Sequence, residues 1–596
     1  MLRSIKLLLL FVILALIIVG CASPTVEPTK APPPASSSSS AASVASSVSS
    51  AVPTSVPAST SAPTVAATSP TAATKAPEPT KAPAPTVAPT AAGAQPVRGG
   101  IAVIATDSDP DQLNPGFTTS YNIGDIGSKI FNGLIWLDPN WVPQPQLAES
   151  WTISSDAKVY TFKLRSGVTW HDGKPFTSAD VKYSFDEILL KLHPRTKGLA
   201  ARISTLAAPD AQTVVFTLKD PYAPFMLGLT VFDAPILPKH LYDGQGDVTK
   251  NPANLKPIGT GPFKFSEWNK GSTIKLVRNE NYFEKGLPYL DGLVYQIIPQ
   301  AANRSTALET GEVDYVVDFY FPKTDVKRLE STGKFVVKRG QGAPAIEFMM
   351  FNTRSKALAT KEARQAIAMV IDRKRIVDQA MNGIARVGFG PFGDGFKWLV
   401  NPDAGYDKLY PLNVAKAKST LDAAGVTAGA DGSRGTLRLI VDTARGPHVT
   451  AAQIIKENLK EIGFNVDVQP LERSVMIQKV FLDWDYDLTL QSFVSSGDPA
   501  IGYHRLYLTA TTKAQFTNQT GYTNPAVDDL FTKAATTPNQ ADRAGFYKNA
   551  QTILAADLSS IVLFDDEGVD FASKKLNGLF SGIESRDRFD LVWMSK

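Results

Sequence analysis

Leu147 to Ile188 reads LAESWTISSDAKVYTFKLRSGVTWHDGKPFTSADVKYSFDEI, and its local physics sets the class of the fold. Val159 to Leu164 alternates and is rich in β-branched and aromatic residues, which predicts a strand with one buried face. Gly167 and the His171-Asp172-Gly173 turn break the chain, and His171 is expected to bond within that turn. Thr177 then caps a helix, with Asp180 three residues on in a capping box. Val181, Phe185, Ile188 and Leu189 give that helix its apolar face. A strand, a turn and a capped helix form a packing unit, and nothing in it is a catalytic constellation.

The same stretch resembles a known family mark, that of the extracytoplasmic solute-binding proteins of the peptide, opine and nickel class. The matches are Ala148, Ser150, Trp151, Ser154, Asp156, Tyr160, Phe162, Leu164, Arg165, Gly167, Val168, His171, Asp172, Gly173, Pro175, Phe176, Thr177, Asp180 and Val181. Ala157 stands where Gly is usual and Trp170 where Phe is usual. Further along, Gly259-Thr260-Gly261-Pro262-Phe263, Asn281-Tyr282-Phe283, Gly311-Glu312-Val313-Asp314, the region Lys361 to Arg373 and Leu412 to Gly425 also resemble the family. The resemblance spans roughly 98–596 and implies receptors that feed ABC importers.

The N-terminus has its own logic. Arg3 and Lys6 precede an apolar run from Leu7 to Val19, a pattern of an export signal and shorter than a membrane-spanning helix of about 20 residues. Ile18-Val19-Gly20-Cys21 resembles a bacterial lipoprotein box, which implies cleavage before Cys21 and lipidation of its thiol; an uncleaved signal anchor is the alternative. Cys21 is the only cysteine, so no intrachain disulfide can form. Residues 22–97 are almost entirely Ala, Pro, Ser and Thr, which predicts a disordered tether of polyproline II character. As a coil of about 75 residues it spans on the order of 50 Å. A glycosylated stalk fits the same composition.

Roughly 500 residues follow, too many for one core. Lys plus Arg number 61 and Asp plus Glu 57, a net charge of +4 without a basic stripe, which disfavours nucleic-acid binding. No apolar run after Val19 is long enough to cross a bilayer, so a soluble body is expected. Strands and helices alternate: Ile101 to Ala105, a helix from Ile123 ending at Gly133, and a β-α-β unit made of Leu437 to Asp442, Val449 to Ile462 and Asn465 to Gln469. The resemblance implies an α/β fold of two lobes joined by a hinge, with an extra domain inserted in the first lobe. Lobe I is expected at 98–137, 258–348 and 562–596, the insert at 138–257 and lobe II at 349–561, after a leader at 1–21 and the tether at 22–97.

Enzyme motifs in the chain are incomplete. Gly388 to Gly393 matches GxGxxG but contains Pro391 and no helix pattern follows, so a loop is expected. Asp483, Asp485 and Asp487 lack the Gly and Glu of a calcium loop. His171, His193, His240, His448 and His504 show no metal-ligand spacing, and no metal or other cofactor is expected.

The resemblance also implies a ligand site. Where peptide receptors of the family place an amine-binding Asp, this chain has Ser495, within Ser495-Ser496-Gly497-Asp498-Pro499. Asp498 either takes over that role or holds the turn. Arg445 lies where a ligand carboxylate is gripped, the bland alternative being a solvated loop Arg; Arg505 is a second candidate. Thr119 and Tyr121, after the first strand, and Trp398 would line the pocket, although Trp398 fits the core equally well. The expected role is a lipid-anchored, extracytoplasmic, monomeric receptor, in the periplasmic space where an outer membrane exists. It would pass peptides, or else sugar oligomers or opine-like conjugates, to ABC permease subunits with their ATPases, and catalyse nothing. A surface-anchored hydrolase and an adhesin or signalling receptor are the rival classes.

Overall fold

A computed structural model describes residues 95–596, apart from 341–344, 496, 511, 567, 584–586 and 596. Cys21, the expected leader and the expected tether as far as residue 94 lie outside the described residues.

The opening stretch forms the elements its pattern predicts. Strand Val159–Leu164 buries Tyr160, Phe162 and Leu164 and lies inside a four-stranded antiparallel sheet, in the order Ala148–Ile153, Val159–Leu164, Thr213–Leu218, Ile203–Asp210. Helix Ser178–Tyr183 starts on the capping box, the Asp180 carboxylate accepting the Thr177 N–H at 2.9 Å. Val181, Phe185 and Leu189 pack on this sheet, whereas Ile188 joins the core of the neighbouring one.

The His171 turn is held differently from expectation. Its partners lie some ninety residues away: Nδ1 accepts the Gly259 N–H at 3.1 Å and Nε2 lies 3.0 Å from the Gly261 carbonyl oxygen. That pairing fixes the Nε2–H tautomer. The Gly259-Thr260-Gly261 turn in turn lies against the end of helix Tyr121–Ile130, so closely that a β carbon on Gly259 would sit 1.8 Å from the Ile130 carbonyl oxygen. The helix stops at Ile130 rather than Gly133, and the Ile130 carbonyl accepts the Gly261 N–H at 2.8 Å instead of an N–H of a further helical turn.

Two larger sheets make up the rest. The first has seven strands, in the order Phe335–Arg339, Val569–Ser573, Tyr315–Val316, Ile101–Thr106, Gly292–Ile297, Thr273–Arg278, Phe263–Asn269. Ile101–Thr106 runs parallel to both its neighbours. The second has six strands, in the order Arg386–Val387, Ser560–Asp566, Ala345–Phe351, Leu488–Val494, Thr436–Asp442, Asn465–Leu471, the last three mutually parallel. Helix Gly446–Glu461 is the crossover of the expected β-α-β unit. Each sheet has its own buried cluster of apolar side chains.

The sheets are joined by an antiparallel ribbon. Phe335–Arg339 pairs with Val569–Ser573 in the first sheet, and the continuations Ala345–Phe351 and Ser560–Asp566 pair in the second. Between them the Gly340 N–H donates to the Gly568 carbonyl at 3.0 Å. The second sheet therefore includes all of Ala345–Phe351 and Ser560–Asp566, where the sequence had suggested boundaries after 348 and after 561. Pairing across the ribbon, not hydrophobicity along it, decides which sheet each half joins.

Burial pushes the His171 imidazole down to about 4, and His193 likewise to about 4. Between that value and the unfolded value near 6.5 the folded chain binds fewer protons than the unfolded one, so stability is lost as pH falls through this window. His171→Asn is expected to cost about 1–3 kcal/mol at pH 7.5, the scale of lost buried hydrogen bonds. In urea unfolding, its gap from the wild type should shrink at pH 5; an unchanged gap would show that His171 does not titrate as its burial requires.

Candidate functional site

In open α/β sheets ligands gather at the carboxyl ends of parallel strands, because the loops there are free to vary. In the first sheet Ile101–Thr106 and Tyr315–Val316 end side by side, leading into the Thr118 to Tyr121 segment and the Asp318–Tyr320 turn. In the second sheet Thr436–Asp442, Asn465–Leu471 and Leu488–Val494 deliver Arg445, Arg473 and Ser495.

Arg445 lies in a small cleft lined also by Asp442, His448, Arg473, Gln491 and Phe516. Its Nη1 is 3.8 Å from Glu347 Oε1, while His448 Nε2 is 2.6 Å from Glu347 Oε2. Burial alone would raise the Glu347 carboxyl, but His448 and Arg445 hold it below its ordinary value. Arg473 Nη1 is 3.0 Å from Asp442 Oδ2. Both guanidiniums remain substantially exposed, 40 % for Arg445 and 48 % for Arg473, against 8 % and 2 % for their carboxylate partners. Each is thus oriented by a buried acid and keeps donors for an anionic group from outside. The sequence reading named Arg445 and did not name Arg473, although both follow the ends of adjacent parallel strands, an equivalence that only the pairing of those strands reveals.

Ser495 and Asp498 do not join this cleft. Ser495 is fully buried and its hydroxyl donates to the Asp498 carbonyl. Asp498 is 2 % exposed and forms an ion pair with Arg543, while its carboxylate also accepts from the Tyr547 hydroxyl at 3.1 Å and the Ala500 N–H at 2.9 Å. Burial pushes the Asp498 carboxyl up, and Arg543 opposes that. Asp498 therefore holds the turn, the second of its two expected roles, and Ser495 is no ligand contact in this arrangement. Trp398 belongs with them, edge-on to Tyr547 at 5.6 Å and 5.3 Å from the Arg543 guanidinium, partly buried against the second sheet's core. Trp141, from the segment before the four-stranded sheet, lies so close to Gly497 that a β carbon there would be 2.1 Å from its ring. Arg505 is exposed, donates through Nε to the Gly502 carbonyl at 3.0 Å and lies over Phe493.

On the first sheet's side Thr119 is exposed and Tyr121 stacks face to face on Phe319, with ring centroids 4.7 Å apart. A chain of charges leads from this side to Arg445. Lys323 Nζ lies 2.5 Å from Asp318 and 3.3 Å from Asp566, on the ribbon. Burial pushes the Asp566 carboxyl up to about 6; Lys323 opposes this, and Asp318 and Glu347 add to it. On the ribbon Asp566 lies opposite Ala345, two residues along the strand from Glu347, the partner of Arg445. The larger surface hollow, about 440 Å³ between Leu241 and Ala253, has none of these groups in its lining.

Residues 142–515 match the bacterial extracellular solute-binding proteins, family 5 middle region, more than half of the chain. The chain belongs to that family. The oligopeptide-binding protein AppA of Bacillus subtilis is 28% identical over 475 residues, covering 78% of this chain and 86% of that one. DppA of Helicobacter pylori, solved in complex with the peptide STSA, is 27% identical with a TM-score of 0.69, covering 84% of this chain and 99% of its own. AgaA of A. tumefaciens R10, solved with agropinic acid, is 26% identical with a TM-score of 0.68, covering 83% and 99%. The two-lobed α/β fold implied by the sequence is the fold of these family 5 neighbours. Among the described residues no cluster of three metal-ligating side chains occurs, and no helix is long and apolar enough to cross a membrane.

Asp498→Asn is expected to destabilise the protein by about 3–5 kcal/mol, because it leaves Arg543 buried without its counter-charge. Ser495→Ala should cost about 1 kcal/mol and leave ligand affinity within twofold. Denaturant melts and calorimetric titration of both variants check this pair of outcomes; a large affinity loss in Ser495→Ala at wild-type stability would return Ser495 to the site.

Proposed function

We propose that the chain is the ligand-capturing receptor of an ABC importer, that it takes up peptides at the cleft around Arg445 and Arg473, and that it catalyses nothing itself. The observation that carries this reading is the pair of half-exposed guanidiniums at adjacent strand ends, each set by a buried carboxylate. That arrangement suits a carboxylate, and the peptide-bound relative supports peptide as its bearer. Lobe I comprises the first sheet, the four-stranded sheet is the insert within it, and lobe II is the second sheet, the ribbon serving as hinge. Ligand touching both lobes favours the closed form over the open one, and the closed monomer docks on permease subunits whose ATPases drive import. The lipidated Cys21 anchors it to the outer face of the cell membrane, with residues 22–97 as a leash.

A second reading is favoured by one observation. The acids beside the cleft, Glu347 and Asp442, are each paired with an arginine, so neither is left for a ligand ammonium, and the agropinic-acid-bound relative has a similar fold. An opine-like conjugate bearing carboxylates fits the same two arginines.

The test is calorimetric titration and thermal shift of the mature chain with tri- to pentapeptides, N-acetylated peptides and opines. Ligand at 100 times its dissociation constant adds about 2.7 kcal/mol of stability, which a melt resolves. Arg445→Ala with Arg473→Ala should weaken peptide binding at least about tenfold, the scale of one lost charge-assisted contact, while the free protein melts as the wild type does. Opines binding while every peptide fails would transfer the site to the second reading. Separately, radiolabelled palmitate should mark the full-length chain in bacteria and be lost in Cys21→Ser; labelling that persists in that variant would refute the anchor.

A further inference from the structure

The chemistry at the first sheet's strand ends differs from that of the cleft. Among the exposed large apolar side chains Phe319 stands out, 65 % exposed. It is also held rigidly. Tyr121 stacks on it at 4.7 Å with 6° between the rings, and Tyr320 meets both edge-on at 5.6 Å. Tyr320 is 2 % exposed, so the base of the trio belongs to the core while Phe319 is presented outward. Its backbone is fixed as well, since the preceding Asp318 donates its N–H to Asp570 at 2.9 Å and accepts the Val569 N–H at 2.8 Å. A phenyl ring left in water at the tip of a turn this well anchored costs apolar hydration that a ligand group could relieve.

Its position links it to the arginines. Asp318, its neighbour, pairs with Lys323, which also pairs with Asp566; on the ribbon Asp566 lies opposite Ala345, two residues along the strand from Glu347, the partner of Arg445, so the aromatic trio and Arg445 flank the same stretch of the ribbon. One side offers a flat apolar surface and the other two anion-binding forks. Resting on the function proposed above, we propose that Phe319, backed by Tyr121, is the platform for an aromatic side chain of a peptide whose carboxylate sits on Arg445 and Arg473. A sugar ring could also stack on such a surface, but it has no carboxylate for the arginines, and charge complementarity therefore favours the peptide.

The test compares Phe-Ala-Ala, Ala-Ala-Ala and maltotriose by calorimetric titration against the wild-type mature chain, Phe319→Ala and Phe319→Leu. Phe319 is exposed, so both variants should melt within a degree or two of the wild type. The wild type should bind Phe-Ala-Ala at least tenfold more tightly than Ala-Ala-Ala. Phe319→Ala should abolish most of that preference by weakening Phe-Ala-Ala alone, and Phe319→Leu should retain part of it. Equal losses for both peptides, or a preference that survives in Phe319→Ala, would overturn the platform while leaving the peptide receptor intact. Binding of maltotriose in place of both peptides would overturn the proposed function itself, and the occupant assigned to Phe319 with it.

Discussion

The structure depends on the ribbon that passes between its two large sheets. Phe335–Arg339 with Val569–Ser573, and Ala345–Phe351 with Ser560–Asp566, form two ladders on the same pair of chain segments. Backbone hydrogen bonds fix the register of each half, so neither sheet can slide relative to its own half of the ribbon. Between the halves the Gly340 N–H donates to the Gly568 carbonyl. Each sheet keeps its own apolar cluster, so the proposed rotation of one sheet against the other would fall at the ribbon and leave both cores whole.

The site grows out of this constraint. Glu347 and Asp566 lie on the ribbon strands themselves, and they orient Arg445 on one side and Lys323 on the other. The buried Asp498–Arg543 pair does the opposite job deeper in the second sheet's body. There the charges are almost fully enclosed and further satisfied by Tyr547, so the loop after Leu488–Val494 is locked. A carboxylate with three protein partners in a dry setting is a poor ligand grip and a good structural rivet.

How much of this was legible in the sequence varies with the physics behind each feature. Alternation placed Val159–Leu164, and the capping box placed the start of Ser178–Tyr183, because both signals are local. The β-α-β unit was legible for the same reason. His171 was misread because its partners, Gly259 and Gly261, are remote in sequence and a turn offers no hint of them. The lobe boundaries expected after 348 and after 561 fall inside strands Ala345–Phe351 and Ser560–Asp566, because both read as apolar strands and only the pairing partner tells which sheet each joins. Arg445 was named from the family resemblance, and its place after strand Thr436–Asp442 agrees with that position. Asp498 presented two roles in sequence, and only the approach of Arg543, forty-five residues away, decides between them. Phe319 carried no signal, since an aromatic in sequence reads as core until its exposure is known.

The contrast between the two sets of charges explains where motion can be afforded. Lys323, Asp318 and Asp566 remain between about a fifth and a third exposed, and burial still raises the Asp566 carboxyl. Asp498 and Arg543 are enclosed, and separating them would strand a charge in the core. In the closure proposed above, the pairs beside the ribbon are those that would change neighbours, while Asp498 and Arg543, within the body of the second sheet, would stay together. Arg445 belongs to both regimes: its acid partner is buried and fixed, yet its own guanidinium is exposed, which lets it meet an incoming group without losing its orientation.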